Sequence, residues 1–90
     1  MVDTQAQARE IAANFLAAEI QAGSQHDLVI TDVSEFEHCW VATYNTRRWA
    51  DTRQTRYALA GNGPLIVNRR TGVVRRGVAA RPVEEQLDEE

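Results

Sequence analysis

The amino-acid sequence predicts an α+β domain, an N-terminal helix packed on an antiparallel β-sheet of about four strands, from three observations. Apolar residues recur at three- and four-residue steps only ahead of Gly23. From Leu28 the period shortens toward two, in runs rich in β-branched side chains. Turn residues then gather at Gly61-Asn62-Gly63-Pro64 and Arg70-Thr71-Gly72, each beside a short apolar run.

The helix has a start signal in Thr4 and Gln7, spaced as a capping box. Ala8, Ile11, Ala12, Phe15, Leu16 and Ile20 then fall on one stripe, and the alanine-rich composition lets that stripe approach a sheet closely. Gly23-Ser24 ends the helix, with Gly23 expected in the left-handed C-terminal position. Leu28 to Phe36 and His38 to Tyr44 read as adjacent antiparallel strands. Asn45 to Gln54 is polar, Arg-rich and without period, and is expected to be a long connection. Leu65–Asn68 and Val73–Val78 form a hairpin around Arg70-Thr71-Gly72, where Gly72 takes positive φ. After Pro82, Val83 to Leu87 reads as a short C-terminal helix within an acidic tail that frays over about 84–90. The helix covers one sheet face, so the other is expected to be the uncovered surface.

The chain has 90 residues, 43% of them apolar and 26% charged, enough for one modest core and a single domain spanning 1–90. The net charge of −3 hides a strong segregation: −6 over residues 1–44, +8 over 45–81 and −5 over 82–90. Every basic residue is Arg. The single cysteine, Cys39, rules out an internal disulfide framework. The acidic, polar start lacks the pattern of a secretory signal, and no run reaches the ~18–20 apolar residues of a membrane span. A cytoplasmic chain with no membrane role is expected.

Catalytic and ligand-binding patterns are sparse. His38 and Cys39 are adjacent on an expected strand and point to opposite faces, His26 stands apart, and no metal-ligand spacing occurs. The same separation argues against a thiol–imidazole nucleophile. Glu35 and Glu37 share a strand face at a strand end, where solvated charge is ordinary. Gly61-Asn62-Gly63-Pro64 lacks the Lys and following helix of a phosphate loop and reads as a structural turn. Arg47, Arg48, Arg53 and Arg56 interleave with Trp49 and Tyr57, a mixture suited to nucleic acid, but the acidic balance of the chain opposes that use. Trp, Tyr and Arg also dominate protein interfaces. The expected protein-contact residues are therefore Trp49, Arg47, Arg48, Arg53 and Tyr44, with the acidic strand end at Glu35 and Glu37.

The alanine-rich helix, the strand motif Trp40-Val41-x-x-Tyr44, and above all Ala58-Leu59-Ala60-Gly61-Asn62-Gly63-Pro64-Leu65-Ile66-Val67 followed by Arg70-Thr71-Gly72 resemble the immunity protein 35 family, also described as YrhB-like domains. The resemblance covers nearly the whole chain. It implies a small α+β protein, not an enzyme, that protects bacteria from toxins of their own or sister cells as a stoichiometric inhibitor. It implies a toxin domain as partner and no cofactor. Trp40, Gly61, Asn62, Gly63, Pro64 and Gly72 are the resemblance positions and are read as structural first. A general interaction or chaperone-like domain is the alternative, followed by Arg-driven nucleic-acid binding. A homo-oligomer is left open.

Overall fold

The first helix forms for the local reason that its sequence suggests. The structure is a computed structural model and describes residues 1–59, 61–79 and 81–87. Helix α1 spans Gln5–Phe15, and the Thr4 hydroxyl accepts the Gln7 N–H at 3.1 Å while Gln7 Oε1 accepts the N–H groups of Thr4 and Asp3. The helical path continues through a π turn, Leu16–Ile20, and a 3-10 turn, Gln21–Gly23. Ala8, Ala12, Leu16 and Ile20 all reach the core although four-residue steps overshoot a 3.6-residue turn by roughly 40° each. The wider π turn offsets that drift and keeps Ile20 toward the sheet.

The helical path stops at Gly23, but Gly23 does not adopt the expected left-handed conformation; among the described residues only Arg53, Gly61 and Gly72 have positive φ. Gln21 makes the reversal instead. Its side chain donates to the His26 carbonyl at 2.6 Å and accepts the Leu28 N–H at 2.9 Å, fastening the end of the helical path to the first strand.

Strands β1 (Leu28–Glu35), β2 (Cys39–Thr46), β3 (Leu65–Asn68) and β4 (Val74–Arg76) form one antiparallel sheet in sequence order. His38 lies just before β2 rather than on it. The register pairs Val33 with Ala42, Trp40 with Val67 and Val67 with Val74, so these side chains share the face under α1. That face is the main core: Ala8, Ala12 and Leu16 pack on Leu28, Val33, Trp40, Ala42, Tyr44, Leu65 and Val67. Gln5 and Arg9, one helical turn apart, donate to the β1 carbonyls of Val33 and Ile30, occupying edge groups that another strand would otherwise use.

The second sheet face is not open throughout. Cys39, Val41 and Ile66 are buried there against Phe36, Val83 and Leu87. The expected C-terminal helix is a single 3-10 turn, Val83–Gln86, and the part of the tail expected to fray from 84 is anchored by Gln86, only 1% exposed. Gln86 Oε1 accepts the Val78 N–H at 2.6 Å, and its Nε2 donates to the carbonyls of Val78 and Arg81 at 2.9 and 3.0 Å. The Arg75 guanidinium donates to the Gln86 carbonyl. An amide able to donate and accept at once suits this irregular stretch, whose backbone groups have no ladder partner. Residues 88–90 of the acidic tail lie outside the described residues.

The Gly61–Pro64 turn is built from three separate contacts. Gly61 has φ +80 and supplies the left-handed turn. Asn62 Nδ2 donates to the Tyr44 carbonyl at 2.7 Å. Gly63 lies directly against the Gly77 backbone, and the Gly77 N–H donates to the Pro64 carbonyl at 2.7 Å. Gly72 takes φ +76 in the β3–β4 hairpin, as the sequence predicts.

Candidate functional site

The stretch Asn45 to Gln54, expected to be an irregular connection, contains a second helix, α2, at Arg47–Thr52. Two side chains at the end of β2 shape it. Buried Thr46 accepts the Trp49 N–H at 3.0 Å through Oγ1 and donates the same hydroxyl to the Tyr57 carbonyl at 2.7 Å. Asn45 Oδ1 accepts the N–H groups of Thr46 and Leu59 at 2.8 and 2.9 Å. A polar pair thus closes residues 46–59 into a compact excursion, with a 3-10 turn at Thr55–Tyr57 bringing its second aromatic ring close to α2.

This geometry brings arginines and aromatic rings together. The Arg53 guanidinium sits over the Trp49 ring at 4.3 Å, and those of Arg48 and Arg56 sit over the Tyr57 ring at 5.0 and 4.8 Å. Arg53 ends α2 in the left-handed region, with φ 57 and ψ 22, and its N–H donates to the Trp49 carbonyl. Arg47 turns to the residue just before β1: its N–H donates to the Asp27 carbonyl at 2.8 Å, and its Nε to Asp27 Oδ2 at 2.6 Å. The hydrogen bond and then the charge of Asp27 raise the Arg47 pKa further, so this guanidinium stays cationic. A solvent-open cleft of about 610 Å³ runs beside these groups, lined among others by Asp27, Arg47, Arg48, Asp51, Arg56 and Tyr57.

The expected contact residues do not form one surface. Trp49, Arg47, Arg48 and Arg53 lie together at the C-terminal end of β2, with Trp49 half-buried and the arginines exposed. Glu35 and Glu37 lie at the other end, about 23 Å away for seven steps along a strand. Tyr44 is 6% exposed beneath α1, which removes its ring from the surface. Glu35 pairs with Arg69 at 2.7 Å, while Glu37 is exposed beside His38 at 3.5 Å.

Trp40 also belongs to the interior, its Nε1 donating to the Val2 carbonyl at 2.9 Å. Arg69 covers its ring at 4.9 Å and donates to the Phe36 carbonyl at 2.8 Å, joining the β1–β2 turn to β3. Arg56 and Tyr57 enter the sequence reading only through nucleic-acid binding, yet they complete the α2 surface. The interleaved Arg and aromatic pattern from 47 to 57 was the available signal for them.

Among the described residues, no group of three or more His, Cys, Asp and Glu side chains is placed to hold a metal ion. No helix among them is long and apolar enough to cross a membrane. The curated proteins and the solved structures yield no match. The family model for immunity protein 35 matches residues 6–90, from the first turn of α1 through the C-terminal turn over the second sheet face. The chain belongs to the immunity protein 35 family.

Proposed function

We propose that this chain is a non-enzymatic immunity protein that binds a cognate bacterial toxin in the cytoplasm and neutralises it by occupying its working surface. The observation that carries the reading is the family match over residues 6–90, nearly the whole chain. The physical character of the domain supports it. Its helix and strand edge are tied down, and its large exposed apolar side chains among the described residues, Met1, Val73 and Val78, are few. A chaperone-like role would call for a broad apolar surface, whereas a stoichiometric inhibitor needs one shaped, preorganised face.

The test is co-expression with the product of the adjacent upstream gene in a host sensitive to that product. Relief of toxicity together with a stable complex is the expected result. Unrelieved toxicity with no complex contradicts the assignment for that pair. Protection of unrelated proteins from thermal aggregation would favour the chaperone-like alternative.

A further inference from the structure

We infer that the exposed guanidiniums of Arg48, Arg53 and Arg56 are the docking groups for a carboxylate-bearing face of the partner protein, an inference that rests on the immunity reading above. Among the described residues none of the three pairs with a carboxylate, unlike Arg47, which pairs with Asp27, and Arg69, which pairs with Glu35. Their hydrogen-bonding forks therefore face solvent, and a fork of this shape is matched by a carboxylate.

Each fork is also held in place. Arg53 lies on Trp49, while Arg48 and Arg56 lie on Tyr57, so less side-chain freedom is lost when a partner arrives. Backbone strain points the same way. Arg53 occupies a left-handed position where helices ordinarily end in Gly or Asn, and it is the only residue other than glycine with positive φ among the described residues. Glycine there would be easier on the backbone but would remove the guanidinium from Trp49.

Discrete carboxylates fit this surface better than a nucleic acid. Guanidiniums already lie over the Trp49 and Tyr57 rings that bases would stack on. Of the acids lining the adjoining cleft, Asp27 is taken up by Arg47, while Asp51 opposes a continuous run of phosphates that a protein face, with its acids placed singly, can avoid.

The experiment compares the wild-type chain with Arg53→Gly and with Arg48→Gln/Arg56→Gln, using the catalytically inactivated product of the adjacent upstream gene as probe. Affinity is read by calorimetry at low and moderate salt, and folding by thermal melts. Arg53→Gly is expected to melt no lower than wild type yet bind about tenfold more weakly, and the double variant about 30-fold more weakly, with a flatter salt dependence. Glu10→Gln, on the exposed side of α1, is expected to leave affinity unchanged. A wild-type complex that both variants form equally well overturns this surface and leaves the immunity reading standing. Failure of the wild-type chain to bind overturns both. Salt-sensitive retention of a single-stranded oligonucleotide by wild type, lost in the double variant, overturns the acidic-protein assignment in favour of nucleic acid.

Discussion

Two glycines two residues apart in the Gly61–Pro64 turn should respond very differently to alanine. At Gly61 a Cβ meets nothing within 4 Å, and the penalty comes only from φ +80. A left-handed alanine costs roughly 1–2 kcal/mol, offset by about 0.4–1 kcal/mol because alanine stiffens the unfolded chain, for a net near 1 kcal/mol. At Gly63 a Cβ would overlap the Gly77 carbonyl oxygen and lie 2.7 Å from its carbon and 3.2 Å from Ala79 N. Ordinary carbon contacts need about 3.5–4.0 Å, so the two backbones must part by about 1 Å. That movement breaks the 2.7 Å hydrogen bond from Gly77 to Pro64 and disturbs the stretch held by Gln86. Overpacking of about 1–3 kcal/mol and a lost hydrogen bond worth about 1 kcal/mol give roughly 2–4 kcal/mol. For a domain of this size 1 kcal/mol moves Tm by about 4–8 °C. Thermal melts followed by circular dichroism should show Gly61→Ala lowered by several degrees and Gly63→Ala by about 10 °C or more. Equal shifts, or the reverse order, would refute the close backbone approach at Gly63.

Other substitutions test the remaining joints. Arg69→Met removes a side chain that is 18% exposed and holds Glu35, the Phe36 carbonyl and the Trp40 ring; urea unfolding should report a loss of about 2–3 kcal/mol. Glu35→Gln, at 61% exposure, should lose less than 1 kcal/mol in the same assay. Gln86→Leu keeps the approximate volume but strands the Val78 N–H and several carbonyls, and should destabilise by about 1–3 kcal/mol; an unchanged unfolding midpoint would contradict its hydrogen-bonding role. Because Val83 and Leu87 cover the patch containing Cys39, removing residues from 83 onward should speed labelling of the Cys39 thiol by a disulfide reagent at least tenfold, and an unchanged rate would show that this cover is not what protects it.

The legible parts of the fold were those whose causes are local. Thr4 and Gln7 sit within one helical turn, and Arg70-Thr71-Gly72 sits within one hairpin, so spacing alone predicts what they do. Helix α2 escaped because its six residues are too few to show a period, and its start depends on Thr46 bonding to Tyr57, eleven residues ahead. Gln86 reads as one more polar residue in an acidic tail until the tail folds back on the sheet. Tyr44 and Trp49 illustrate the same limit for the site. Both are aromatic and near arginines in sequence, but strand alternation sends Tyr44 under α1 while the α2 cap leaves Trp49 half-buried at the surface. The alternation of Arg and aromatic residues from 47 to 57 is visible in the sequence, but the stacking of Arg53 on Trp49 needed α2 with its left-handed end, and that of Arg48 on Tyr57 needed the turn at Thr55–Tyr57.

The most direct measurement is survival of a sensitive bacterial host that expresses the active product of the adjacent upstream gene, with and without this chain. The immunity account predicts that the chain restores growth and co-purifies with that product as a stoichiometric complex. Growth arrest that persists at equal or excess expression of the folded chain, with no complex recovered, would contradict it.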